Sequence, residues 1–243
     1  MTELIQNRED FLKNLTEKLG IERQPVESHP FEPMNQLPHE TLSGKTQDEL
    51  LQVAKERVKK IHTNIVETKQ ADLEGIINEL IGKWGNGKVL LPTDNRFKEV
   101  GLNQFDANDY ANHSVDFDRA FWQKGADYRE ENIQTASEAN VAVAFAEFLL
   151  AESGSIVVET HAGQGRSLHF LPTHYISIVP KSKIVPRSTQ AADFYHEKRA
   201  KGETLGSAIH FISGPSNSGD IEMQLVVGLH GPIEVVYVVV EDL

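Results

Sequence analysis

The run Ser213-Gly214-Pro215-Ser216-Asn217-Ser218-Gly219-Asp220-Ile221-Glu222 is built mainly from small residues, and the apolar pattern resumes through Met223, Leu225 and Val226. A loop of this composition can turn several backbone N–H groups towards one point. A short helix opening at Asp220 and stopping at Gly228 would add the positive end of its dipole. That combination holds small anions. The same residues also read as a plain strand-to-helix turn with Asp220 as N-cap, and the Asp220 and Glu222 carboxylates would compete with an anion there. Residue type leaves both readings open.

Other segments carry chemistry of their own. Ala151-Glu152-Ser153-Gly154-Ser155 departs from the Gly-x-Ser-x-Gly nucleophile elbow at both outer positions and fits a hairpin turn better. Glu152 at its tip is the candidate catalytic group, as base, nucleophile or hydrogen-bond acceptor; the alternative is a solvated turn residue. Gly163-Gln164-Gly165-Arg166 lacks the third glycine of a dinucleotide fingerprint. Arg166 can clamp a carboxylate or phosphate through its planar fork, or be a surface arginine. His161, His169 and His174 match no zinc spacing, and without thiolates no protein-ligated metal is expected. His230, before Gly231-Pro232, would share a sheet region with the serine-rich loop.

These residues need a scaffold, and the chain supplies an α/β pattern. Thr2 to Gly20 reads as a helix with an apolar stripe of Leu4, Phe11, Leu12, Leu15 and Leu19. Ile21 to Lys45 holds four of the ten prolines and reads as an extended linker. A capping box at Thr46-Gln47-Asp48-Glu49 opens a helix to about Asn64, and another spans Asp72 to Trp84. Lys88 to Pro92 is a wholly apolar strand; Asn132 to Ala146, rich in alanine, reads as helix. Phe148–Ala151 and Ile156–Glu159 suggest a hairpin. Further strands fall at His174–Val179, Ala208–Ser213 and Glu234–Val240, with a helix over Asp193–Lys201. The alternation predicts an α/β sandwich, mostly parallel, with an antiparallel insertion and ligands beyond the carboxyl ends of strands. The domain reading is residues 1–45 as an N-terminal helical arm and linker, and 46–243 as the α/β domain.

Composition narrows the partners. With 36 acidic against 24 basic residues the net charge is −12, so a phosphate backbone would be repelled and no nucleic acid is expected. There is no cysteine, hence no disulfide, thiolate nucleophile or thiolate-held cluster. Met1 to Gly20 is charged throughout, unlike a signal peptide, and the apolar run Val141 to Ala151 falls well short of a membrane span. The expectation is a cytoplasmic protein without membrane insertion.

The order and spacing of Ala151–Ser155, Gly165-Arg166, Leu171-Pro172, Ser213–Glu222 and Leu229-His230-Gly231-Pro232 resemble the LUD-domain family. The likeness runs from about Thr46 to the C-terminus, and the N-terminal helix and proline-rich linker also resemble one subgroup. Ser153 stands where many relatives have threonine, which keeps the hydroxyl. The resemblance implies a three-layer sandwich similar to the sugar-isomerase and CoA-transferase superfamily, which includes formyltetrahydrofolate cyclo-ligases. It implies a part in oxidising L-lactate to pyruvate beside two iron–sulfur lactate-utilization proteins. This chain would be the cluster-free component, with no cofactor of its own and the iron–sulfur clusters on its partners. A small anionic ligand, lactate or pyruvate, would meet Glu152, Ser153, Gly154, Ser155, Gly165, Arg166, Ser213, Gly214, Ser216, Asp220, Glu222 and His230, a set taken from motif position. The alternative is a stand-alone enzyme of acyl or CoA transfer or ligase type, acting on an anionic small molecule through Glu152.

Overall fold

The computed structural model describes residues 7–22, 34–218, 226–228 and 230–243. In chain order its helices are α1 (Arg8–Leu19), α2 (Leu37–Glu40), α3 (Gln47–Val58), α4 (Leu73–Lys83), α5 (Arg96–Glu99), α6 (Arg129–Glu138), α7 (Ser167–Phe170) and α8 (Ser188–Ala200). The strands are β1 (Asn64–Thr68), β2 (Val89–Leu91), β3 (Arg119–Phe121), β4 (Val141–Phe145), β5 (Phe148–Leu150), β6 (Ile156–Thr160), β7 (His174–Pro180), β8 (Ile184–Val185), β9 (Ala208–Ile212), β10 (Asn217–Ser218), β11 (Val226–Val227) and β12 (Glu234–Val240). The chain divides into two compact units, Met1–Gln36 and Leu37–Leu243. The first contains α1, closed by Gly20 at φ 65°.

In the second unit, six parallel strands run in the order β1-β12-β7-β4-β2-β3. Alternate residues of β12 enter different cores. Val235, Tyr237 and Val239 pack on one face, and Val236, Val238 and Val240 on the other. That is the pattern of a strand covered on both sides. The second face is closed by Leu73, Ile77 and Ile81 of α4, an i, i+4, i+8 stripe, with Phe97 and Phe105. Each such aliphatic side chain contributes about 1.5–3 kcal/mol by leaving water.

The first face meets a smaller sheet, β8-β5-β6-β9, together with α3 and Ala136 of α6. Outside the smaller sheet, Ala191 and Tyr195 of α8 cover Phe148, Leu150 and Val157. The α/β sandwich with its mainly parallel sheet and the β5–β6 hairpin is as expected.

Several elements differ from the sequence reading. The capping box forms, Thr46 Oγ1 accepting from the Glu49 N–H and the Thr46 N–H donating to Glu49 Oε2. However, α3 ends at Val58, a 3-10 turn follows, and His62 at φ 54° leads into β1, a strand the sequence did not suggest. The stretch Asn132–Ala146 is not one helix: α6 stops at Glu138, and Val141–Phe145 is a fully buried strand. Alanine favours helix, but Ala142 and Ala144 here let the two sheets approach, and burial overrides propensity. Leu37–Glu40 of the expected linker is a short helix, with His39 Nε2 3.3 Å from Asp193 Oδ2 of α8.

Topology also fixes where loops diverge. The connection from β2 runs outward to β3, whereas that from β4 runs the opposite way to β7. The carboxyl ends of β2 and β4 therefore flank the switch point of the sheet.

Candidate functional site

Two buried tyrosines on the inner face of the parallel sheet organise a cavity of about 270 Å³ where β7 and β12 begin. On β12, the Tyr237 hydroxyl accepts from the Gly214 N–H and donates to the Ile212 carbonyl, both at 3.3 Å. On β7, the Tyr175 hydroxyl lies 2.9 Å from His169 Nδ1. Burial pushes both phenol pKa values up, so both stay protonated. One tyrosine thus holds the serine-rich loop and the other holds a histidine across from it.

The loop is fastened at several points. Gly214 sits at φ 74°, and a methyl group there would lie 2.1 Å from the Ile61 carbonyl oxygen. Only glycine fits both the conformation and the space. Ser213 Oγ is 2.7 Å from Ser155 Oγ. The Ser216 N–H donates to the Pro232 carbonyl at 2.9 Å, and the Ser216 carbonyl accepts from the Gly228 N–H at 2.7 Å. Ser216 Oγ accepts from the His230 N–H at 3.4 Å. Ser213, Gly214, Ser216 and His230 all line the cavity.

His169 completes it. This residue is 1% exposed, and its Nε2 has no hydrogen-bond partner among the described residues. Burial lowers its pKa to about 3, with His210 and His161 adding to the shift, so the ring is neutral at physiological pH. The sequence reading set this histidine aside as one of three unrelated ones. Its partner Tyr175 gave no sequence signal at all, being one apolar-looking position in a buried strand.

The remaining expected site residues are dispersed. Glu152 Oε2 lies 2.9 Å from Arg187 Nε, and Arg187 Nη1 donates to Thr41 Oγ1 at 3.3 Å. That carboxylate pins the hairpin turn and does not line the cavity. Ser153 Oγ accepts from the Ser155 N–H, and the Gly154 N–H donates to the Leu150 carbonyl; Ser155, behind the cavity wall, meets the serine-rich loop at Ser213. Gly165 packs on the Trp122 ring, where an added methyl would come within 2.0 Å of Cζ2. Arg166 lines a neighbouring recess with His210, and Phe170 stands between that recess and the cavity. Arg166 makes no ion pair among the described residues.

Asp220 and Glu222 lie outside the described residues. The helix expected to run to Gly228 is not found at its end, because Val226–Val227 pairs antiparallel with Asn217–Ser218. The Ser216 amide, expected to face an anion, is taken by Pro232. The loop also follows β9 of the smaller sheet, which places the cavity at the amino edge of the parallel sheet, opposite to the expected edge.

The carboxyl edge carries a second cleft, of about 720 Å³, lined by Glu147, Glu159, His161, Lys198 and Ser207 among others. Arg96, just past β2, donates from Nη1 to Glu147 Oε1 at 2.8 Å, and its Nη2 is 2.7 Å from Asp94 Oδ2. Burial works to lower the Arg96 pKa, but Asp94 and Glu147 outweigh it and raise the value. Glu159 takes Lys198 Nζ at 3.0 Å and the Gly206 N–H. His161 Nδ1 accepts from the Gly163 N–H at 3.1 Å, and burial lowers its pKa. These charges bridge the switch point, and sequence reasoning missed them, although Asp94 and Arg96 directly follow the apolar β2. His174 is elsewhere, stacked on Trp84 at 4.6 Å. Among the described residues, no group of three or more histidine or carboxylate side chains could hold a metal ion.

Comparison with known proteins follows the same outline. The crystal structure of a DUF162 family protein from Deinococcus radiodurans shares the fold, with a TM-score of 0.54 at 18% identity over 81% of this chain and 99% of that one. Lactate utilization protein C of Bacillus subtilis (strain 168) is 43% identical over 238 residues, 98% of each chain. The protein of that name from Geobacillus thermodenitrificans (strain NG80-2) is 44% identical over 240 residues, again 98% of each. That from Macrococcus caseolyticus (strain JCSC5402) is 43% identical over 239 residues, 98% of this chain and 97% of the relative. Residues 51–240 match the family model of the LUD domain, and the chain belongs to the LUD-domain family.

Proposed function

We propose that this chain is the cluster-free component of a cytoplasmic L-lactate utilization system, acting beside two iron–sulfur proteins. The observation that carries the reading is the end-to-end likeness to proteins named for lactate utilization. Oxidation of L-lactate to pyruvate releases two electrons and two protons. A chain with no cysteine offers no thiolate to a cluster, so electron transfer through such clusters falls to the partners. No described helix is long and apolar enough to cross a membrane. The role left to this chain is binding a small anionic ligand, lactate or pyruvate, or docking the partners.

Acyl or CoA transfer draws no support from the site. Glu152, the group that chemistry needs, is committed to Arg187 at a turn outside the cavity.

The test is genetic and biochemical together. Deleting the gene from a bacterium that grows on L-lactate should stop that growth and spare growth on pyruvate. A tagged copy should restore growth and bring down two iron-containing proteins. Unimpaired growth of the deletion strain on L-lactate would overturn the reading.

A further inference from the structure

We infer that the cavity at the amino edge of the sheet is a site for a small monocarboxylate of the 2-hydroxy or 2-oxo acid class, with His169 Nε2–H as a donor to the bound acid. The choice of acid rests on the reading of lactate utilization given above. The donor assignment rests on the contact between His169 and a protonated Tyr175 and on the burial of Nε2.

The tautomer follows from the neighbours. The Tyr175 hydroxyl keeps its proton and has two polar neighbours, His169 Nδ1 and the Ser177 side chain. We assign the hydroxyl proton to His169 Nδ1 at 2.9 Å, which places the imidazole proton on Nε2. That N–H is buried and unpaired, an arrangement that folded proteins rarely leave without a ligand or water.

Several acceptors of the wall are already taken. The carbonyl oxygens of Ile212, Ser216 and Pro232 already accept protein hydrogen bonds. Donors remain: His169 Nε2–H, the Ser216 hydroxyl, and the second amide hydrogen of Asn217, whose Nδ2 already donates to the Pro215 carbonyl at 3.4 Å. The described residues lining the cavity include no aspartate or glutamate to repel an anion. Arg166, beyond Phe170, adds positive potential and makes no ion pair among the described residues. A carboxylate matches these donors. A cavity of about 270 Å³ has room for an acid of a few non-hydrogen atoms.

The experiment is titration calorimetry of the purified full-length protein with sodium L-lactate, sodium pyruvate and the uncharged lactamide. We expect saturable binding of one or both acids and none of lactamide. His169→Phe should weaken binding by about tenfold or more, with His169→Gln partly restoring it. Tyr175→Phe, which frees the tautomer, should weaken it less. Nitrogen-15 spectra of the wild type should show a neutral Nε2–H ring whose resonance moves on adding the acid. Failure of both acids to bind, equal binding of lactamide, or an unshifted His169 resonance on saturation would overturn the inference. No binding here, together with a deletion strain unable to use L-lactate, would remove the site and leave the system role. Binding with unimpaired growth of that strain would do the reverse.

Discussion

The two recesses of the α/β unit lie at opposite edges of the parallel sheet and treat polar atoms in opposite ways. At the carboxyl edge, Arg96 joins Asp94 to Glu147, and Lys198 with the Gly206 N–H holds Glu159, so charge is dense and paired. At the amino edge the described lining has no carboxylate, lysine or arginine, yet His169 Nε2 has no partner among the described residues. A dense ion network in a cleft catches the eye as an active site. Here its geometry is that of a brace between the loops leaving β2 and β4. The quieter cavity has an unpaired nitrogen on one of its lining residues, and spare capacity in a buried place is what a ligand satisfies.

The largest effect should come from breaking the brace. Arg96→Met leaves Asp94 and Glu147 facing each other without their cation, with the Asp94 side chain only 8% exposed. The loss expected is about 3 kcal/mol, near the lower end for a broken buried pair because Arg96 keeps some contact with water. Urea unfolding would measure it as a lower midpoint at unchanged slope. A loss under about 1 kcal/mol would mean that the network behaves like surface ion pairs.

Gly214→Ala comes next. The added methyl meets the Ile61 carbonyl and Thr63 Oγ1 at a positive φ, and about 1–3 kcal/mol should be lost as the cavity wall shifts. An unchanged melting temperature would show that the loop is held less firmly than the Tyr237 contacts imply.

Histidine 169 gives a pH signature. Its folded pKa, about 3, lies below the 6.5 of an unfolded histidine. Between these values the unfolded chain binds the extra proton, so this residue's contribution to stability falls as pH drops through 6.5 towards 3 and is level above that window. From pH 7 to pH 5 the wild type should lose about 2 kcal/mol more than His169→Gln. His161, His174 and His210, also lowered by burial, keep their own slope in both proteins. Equal losses would mean that His169 charges freely in the folded state.

The smallest effect is expected from His169→Phe, which exchanges an unpaired buried donor for an apolar ring. Stability at pH 7 should change by less than about 1 kcal/mol, since the Tyr175 hydroxyl loses its partner while an orphan N–H disappears. A loss of several kcal/mol would make His169 a structural residue first.

The sequence made the scaffold legible where pattern and burial agree. The capping box at Thr46, the hairpin around Ser153–Gly154 and the apolar strands β7 and β12 follow from local rules alone. It misled at Val141–Phe145, where alanine serves the approach of two sheets, and at Val226–Val227, where strand pairing replaces a helix. The candidate loop was visible because glycine and serine mark close approaches. His169 and Tyr175 were not visible as a pair, because an unsatisfied nitrogen exists only once the surrounding partners are in place. Glu152 was overvalued for a similar reason: its commitment to Arg187, 35 positions further on, has no local signature.

The most direct test of the comparison is a backbone amide map by NMR during titration of the full-length protein with sodium pyruvate. If spare hydrogen-bonding capacity marks the ligand site, the amides of Gly214, Ser216, Asn217 and Gly231 should shift and saturate together, while Gly163, Gly206 and Ser207 around the charged cleft stay still. Saturable shifts confined to Gly163, Gly206 and Ser207 would contradict the account and make the ion network the binding site.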